Sequence, residues 1–363
     1  MPVPVEGGGR AAGYFTGATG VTIYRGDAWP EEFHGNAVIG DVGSNIVHRK
    51  RIDRSGIEFV AERARPMTEF VTSTDIWFRP AQFANAPDGG LYVVDVYREV
   101  IQHPKSLAPV IKKHLDLTSG RDRCRIYRVV PKDFAQTPPP RLDEATTEAL
   151  VAALAHPNGW YRDTAARLLY ERQDRAAIQP LEELVTTSDS PLAKIHGLAA
   201  LAGFDALRND VVLAALADAD PQVRRHAVRH AETVAPSSPR IRDRLLALVD
   251  DPDVHVRYQL AFSLGEFAGA NQPEALARLV AGDVENSWIR LAALSSLGSG
   301  AADVLAVLAT EQDFLAQPAG LEFLETLAAQ VGAQGRQDEI ATVLDVLNQL
   351  ATSDAAVQTA LTR

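Results

Sequence analysis

The 363-residue sequence predicts a mixed, two-domain chain: short strands first, then an all-α solenoid of two-helix repeats. Three observations carry that expectation. The hydrophobic period changes near residue 135, from β-branched and aromatic stretches to Ala- and Leu-rich segments of helical spacing. Charge changes with it: residues 1–135 hold 18 Lys/Arg and 16 Asp/Glu (net +2), whereas residues 136–363 hold 18 and 31 (net −13), together −11. A basic residue also recurs at 162, 194, 224, 257 and 290, at intervals of 32, 30, 33 and 33. A two-helix unit of that period cannot bury its apolar face alone, so such units stack.

In chain order, strands are expected at 20–24, 36–39, 45–48, 57–61, 91–94 and 125–130, separated by turn residues. The clearest turn is Pro87-Asp88-Gly89-Gly90, where Gly and Asp tolerate the backbone a tight hairpin needs. One helix is expected at 107–117, with Leu107, Val110, Ile111 and Leu115 on one face. Thr137-Pro138-Pro139-Pro140 reads as a stiff spacer, which divides the chain into 1–135, a linker at 136–141 and 142–363. Beyond it, turns such as Ser190-Pro191, Asp220-Pro221 and Asp251-Pro252 precede the basic position, and an Ala/Leu-rich helix follows. After Gly300 the pattern loosens, with an insertion around 312–319 and a helix at 353–363 that has no partner.

Asp-Pro followed shortly by Val-Arg resembles HEAT repeats of the short, lyase-type class, from about Leu142 to the C-terminus. That resemblance implies that Arg162, Lys194, Arg224, Arg257 and Arg290 hydrogen-bond an acidic residue of the turn and form a ladder between neighbouring repeats.

The first part carries its own motifs. They are Gly13-Tyr14-Phe15-Thr16, Thr22-Ile23-Tyr24-Arg25-Gly26-Asp27, His34-Gly35-Asn36-Ala37, Ser73-Thr74-Asp75-Ile76-Trp77-Phe78-Arg79-Pro80, the run from Pro87 to Arg98, and Arg125-Ile126-Tyr127-Arg128. Their succession resembles the last blades of a β-propeller in the membrane-bound dehydrogenase family of planctomycetes and verrucomicrobia, where a propeller precedes HEAT-like repeats. A more distant resemblance is to soluble quinoprotein sugar dehydrogenases. It implies that Arg25 and Arg79 descend from an anion-binding face for pyrroloquinoline quinone, with calcium, in a full-length parent. The alternative for Arg79 is an ion pair with Asp75 or Asp95. A blade consumes roughly 40–45 residues, so 1–135 supply two to three blades of an open, partial propeller. The histidine base of those enzymes comes from an earlier blade; His34, His48, His103 and His114 match it by residue type alone and read as surface or turn histidines.

Several chemistries are excluded or weakened by composition. Cys124, the only cysteine, rules out an internal disulfide, a four-cysteine zinc site and covalent c-type haem, and reads as a buried strand thiol. No apolar run approaches the roughly 20 residues that cross a bilayer. Residues 1–10 lack a basic stretch and apolar core, so the chain as given is expected to stay in the cytoplasm, although the resembled family is periplasmic or membrane-associated. His226 and His230 share a helix face without a third ligand, so no metal site is assigned. Arg224, Arg225, Arg229, Arg240, Arg242 and Arg244 cluster, but the surrounding acidic solenoid argues against nucleic acid.

Two functions follow. The chain is either the C-terminal portion of a propeller–HEAT sugar or alcohol dehydrogenase, lacking catalytic blades and cofactor, or a non-enzymatic scaffold. In the scaffold reading the solenoid binds a protein partner and the β region caps it.

Overall fold

Antiparallel pairing organises the first part of the chain. The computed structural model describes residues 15, 17–101, 105, 107–136, 138, 140–267 and 271–350. Residues 1–10, Gly13, Tyr14, Thr16, His103, Thr137, Pro139 and the segment 353–363, which bear on expectations above, lie outside them. The strands β1 (Ala18–Ile23), β2 (Ala37–Asp41), β3 (Ile46–Ser55) and β4 (Glu58–Arg63) form a meander in which each pairs with the next, and β5 (Val71–Thr72) adds to β3. A second meander contains β6 (Pro80–Asn85), β7 (Leu91–Asp95) and β8 (Arg125–Val129). No closed barrel forms among the described residues.

The two sheets share a core of Tyr24, Val38, Val47, Phe78, Phe83, Leu91 and Val93. Their close approach needs small residues. A side chain at Gly20 would fall 2.7 Å from the Ala81 carbonyl, and one at Gly40 2.5 Å from that of Pro80. At the hairpin tip Gly89 takes φ +82, and a Cβ there would meet Ala28 N at 2.6 Å. Its carbonyl accepts the Tyr24 hydroxyl at 2.6 Å, which fixes the turn from the core side.

Three expectations change here. Strands β5 and β6 lie outside the expected runs: β5 is only two residues long, and in β6 Pro80, Ala81 and Asn85 are poor strand formers. Pairing with β7 overrides that preference, and proline is tolerated because it opens the strand. The expected helix at 107–117 is one turn, α1 (Pro109–Lys112): Val110 and Ile111 are exposed, so no buried face pays for further turns. Cys124 is exposed just before β8 rather than buried, its thiol donating to the Val96 carbonyl at 3.2 Å.

From Thr147 onward every element is helical. The chain divides into two compact units, 1–168 and 169–363, so the break falls inside a helix and the first helical hairpin packs with the sheets. That hairpin is α2 (Thr147–Ala153) and α3 (Gly159–Arg172). Asn158, fully buried, donates from Nδ2 to the carbonyls of Ala86 (3.0 Å) and Pro87 (3.2 Å), and its Oδ1 accepts the Trp160 amide at 2.9 Å. Gly159 N donates to the Arg25 carbonyl at 2.7 Å. One side chain thereby caps a helix and ties it to the hairpin.

The second unit runs α4 (Ile178–Thr187), α5 (Pro191–Gly203), α6 (Asn209–Leu216), α7 (Pro221–Ala231), α8 (Pro239–Ala247), α9 (Val254–Ser263), α10 (Gln272–Gly282), α11 (Ser287–Ser296) and α12 (Ala301–Leu308). The region expected to be loose folds as α13 (Gln312–Leu315), α14 (Pro318–Gln334) and α15 (Gln337–Leu350), with α12 packed against both long helices and Phe314 and Phe323 in the core.

The hairpin clamp is open to mutation. Asn158→Ala strands two carbonyls and the α3 amide, and is expected to cost about 1–3 kcal/mol in chemical denaturation. An unchanged midpoint would refute the clamp.

Candidate functional site

The repeated features of the helical region begin at the N-caps. Asn158, Ser190, Asp220, Asp253 and Asn286 each accept backbone amides at the start of a second helix, for example Asp220 Oδ1 from Gln222 (2.7 Å) and Val223 (3.2 Å). Short polar side chains do this because their oxygens reach the unpaired amides of the first turn. The basic residue stands four positions later in every case, at 162, 194, 224, 257 and 290.

That register lets the basic side chain reach its own turn and a downstream carboxylate, as Arg224, Arg257 and Arg290 do. Arg224 Nη1 donates to the carbonyls of Asp218 (2.9 Å) and Ala219 (3.0 Å) in its own turn, while Nε and Nη2 grip Asp251 of the following turn at 2.7 and 2.8 Å. Arg257 repeats this with the Asp251 carbonyl and the Asp283 carboxylate, the latter at 2.6 and 2.8 Å. Lys194 reaches Asp218 at 2.6 Å, and Arg290 reaches Glu322 at 3.5 Å. Arg162 bonds the carbonyls of His156 and Pro157, and burial lowers its pKa. The turn after it carries Ser188 where later turns carry an aspartate. The Asp251 and Asp283 forks instead hold the Arg224 and Arg257 pKa values above the ordinary arginine value.

The second helices α5, α7, α9 and α11 pack on one another in sequence as a row. The exposed large apolar side chains of the helical region, among the described residues, are Leu192, Phe262, Trp288 and Leu291 on this row, Tyr170 on α3 and Leu344 on α15. Tyr258 and Phe262 meet edge to face at 5.1 Å between centroids. Arg229 is exposed on α7, the second helix of the row.

His226 and His230 sit partly buried on α7. Burial, reinforced by Arg225, His230, Arg229 and His196, pushes the His226 pKa down to about 4, and burial with Arg229 lowers that of His230. Among the described residues no group of three or more His, Cys, Asp or Glu side chains is placed to share a metal ion.

In the sheet unit Arg25 and Arg79 point into different surroundings. Arg25 forks the Asp163 carboxylate of α3 at 2.8 and 2.9 Å. All three Arg79 guanidinium nitrogens donate to carbonyls: Nε to Arg98 (2.9 Å), Nη1 to Val42 (2.6 Å) and Nη2 to Glu99 (2.8 Å). Asp95 accepts the Arg79 backbone amide rather than its side chain. His48, expected at the surface, is 1% exposed on β3 with Nδ1 2.5 Å from Glu69 Oε2; His34 lies in a turn against Tyr24.

With this geometry described, the chain can be set beside known proteins. Residues 209–298, which span α6 to α11, match HEAT repeats. Residues 4–133 match a family described as a domain of unknown function, DUF7133, which lends no support to a dehydrogenase. No curated protein matches. Similar solved structures include two engineered proteins from a structural genomics consortium. Both are 21% identical and cover 60% of this chain and 93% and 96% of their own, with TM-scores of 0.26 and 0.25. A designed armadillo repeat protein is 17% identical, covering 60% of this chain and 97% of its own, with a TM-score of 0.25. No helix among the described residues is long and apolar enough to cross a membrane.

Two outcomes follow from this geometry. The Asp251 carboxylate is 3% exposed and its Arg224 partner 11%, so Asp251→Ala leaves a nearly buried cation unpaired. Unfolding should become about 3–5 kcal/mol easier, and Arg224→Met in the same chain should recover part of that loss. A double variant no more stable than Asp251→Ala would contradict the pairing. The histidines act through pH. The unfolded chain takes up protons near pH 6.5, but folded His226 resists them to about pH 4, so acidification through that window removes stability. The melting temperature should fall from pH 7.5 to 5.0 by less in a His226→Gln/His230→Gln variant than in the parent. Equal falls would sink the assignment.

Proposed function

We propose that the chain is a protein-binding scaffold whose working surface is the row α5, α7, α9 and α11. The partner is a protein segment that carries apolar side chains for Leu192, Phe262, Trp288 and Leu291 and an acidic group for Arg229. One observation carries this reading: among the described residues, four of the six large apolar side chains that the helical region leaves exposed lie on one row of helices, the others being Tyr170 on α3 and Leu344 on α15. The HEAT match supports it, since stacked helix pairs commonly present extended protein-binding surfaces. Alternating apolar and cationic groups favour a segment of matching pattern over a polyanion such as nucleic acid, which would need a continuous basic track.

We read the β1–β4 and β6–β8 meanders as blade-like units of the propeller type, a reading supported by the pairing of each strand with its sequence neighbour. We place the domain boundary at 136–141, where strands give way to helices, with the first helical hairpin joined to the sheets by Asn158. Arg25 and Arg79 then act as clamps: one fixes the start of α3, the other gathers three loop carbonyls.

Selection of a random peptide library on the whole protein tests the scaffold directly. The recovered peptides should combine aromatic or aliphatic residues with Asp or Glu. Their affinity should fall at least tenfold for Phe262→Glu/Leu291→Glu and stay unchanged for Glu274→Lys on α10. Recovery of peptides insensitive to the double variant would overturn the proposal.

A further inference from the structure

The sheet unit contains a cleft of about 340 Å³ that the scaffold reading does not use. This lies at the small end of the roughly 300–1,000 Å³ typical of small-molecule sites. Trp29, Phe33 and Phe70 wall it with mutual edge and tilted contacts; their centroids are 5.1 Å (Trp29–Phe33), 5.5 Å (Trp29–Phe70) and 6.1 Å (Phe33–Phe70) apart. Arg49, from β3, lays its guanidinium 3.8 Å from the Phe33 ring centroid and is only 7% exposed. Arg65 and Glu69 also line the cleft.

Its polar atoms set it apart. Arg49 Nη1 and Trp29 Nε1 are buried without a hydrogen-bond partner, and so is Asn36 Oδ1 in the adjoining recess that Trp29 and Arg49 also line. The carboxylate in the lining is already committed: Glu69 Oε2 meets His48 Nδ1 at 2.5 Å and Oε1 accepts Arg63 Nη1. Arg49 is therefore a buried cation with no carboxylate bonded to it; burial lowers its pKa, and Glu32 opposes that shift only through its charge. Such an arrangement is costly, and stacking on one ring offsets only part of that cost. With Glu69 paired to Arg63 and hydrogen-bonded to His48, Arg49 and Arg65 leave the lining with a net cationic character.

We propose that this cleft binds a small aromatic carboxylate, its ring among Trp29, Phe33 and Phe70 and its carboxylate on Arg49. The flat body matches three aromatic walls, and the anion supplies the acceptor that the Arg49 fork and the Trp29 indole lack. Arg65 adds positive charge at the rim. The inference stands apart from the solenoid reading, since every residue it uses lies between 24 and 91.

1-Naphthoate is a suitable probe, titrated calorimetrically and followed by the indole N–H resonances, with that of Trp29 assigned through Trp29→Phe. The expected result is saturable one-to-one binding that shifts the Trp29 signal and leaves those of Trp77, Trp160 and Trp288 in place. 1-Naphthalenemethanol, the same ring without charge, should bind at least tenfold more weakly. Arg49→Lys, which keeps the charge but loses the planar fork, should also weaken binding at least tenfold. Arg49→Met should abolish binding yet melt no lower than the parent, because it removes an unpaired buried charge. The proposal fails if naphthoate does not saturate, if the alcohol binds equally well, or if either Arg49 variant keeps the parent affinity. Should Arg49→Met not fold, Arg49→Lys alone decides.

Discussion

A basic side chain four residues past each N-cap, shared at Arg224 and Arg257 between its own turn and the next, sets the spacing of the helical repeats. Arg224 and Arg257 show the full form: carbonyls behind, a two-point carboxylate grip ahead. The N-cap fixes where the second helix begins, so the guanidinium always leaves the helix at the same height. A single carboxylate serves both directions as well. Asp251 receives Arg224 and also accepts the Asp253 amide, which holds the cap of its own helix in place. Apolar helix faces would pack at many registers; these bonds select one, because a slip would strand several polar groups at once.

The sheet unit obeys a related rule with other residues. Several side chains there bond backbone: Arg79 takes three carbonyls, Asn158 two carbonyls and an amide, Asn45 two carbonyls, and Tyr24 the tip of the hairpin. Loops are long in this unit, and such bonds satisfy carbonyls that no strand reaches. The Asn158 contacts explain why the packing division lies inside α3 and not at the proline-rich spacer. The first hairpin of helices is folded onto the sheets by the same residue that starts its second helix.

The sequence made some of this legible and hid the rest for physical reasons. The basic position could be read because one residue per repeat holds it. Its carboxylate partner was harder, since it lies 24–32 residues downstream and drifts in register from Asp218 and Asp251 to Asp283 and Glu322. Most strands were visible from β-branched runs, but β6 depends on pairing that composition does not reveal. His48 reads as a surface histidine because strand alternation does not say which face a neighbouring segment will cover, and Phe15 and Glu69 pack on it. The aromatic cleft was invisible, because Trp29, Phe33, Arg49 and Phe70 come from separate loops and strands with no shared spacing. The exposed apolar row was equally hidden. Leu192 and Trp288 hold the same repeat position, but Phe262 and Leu291 do not, and only the burial of their neighbours singles them out.

Hydrogen exchange in the Arg257→Met protein tests the central claim most directly. If the shared basic residue couples adjacent repeats, amides of α9 and α11 should exchange at least tenfold faster than in the parent while those of strands β1–β8 keep their rates. Unchanged protection in α9 and α11, or a loss spread equally through the strands, would contradict it.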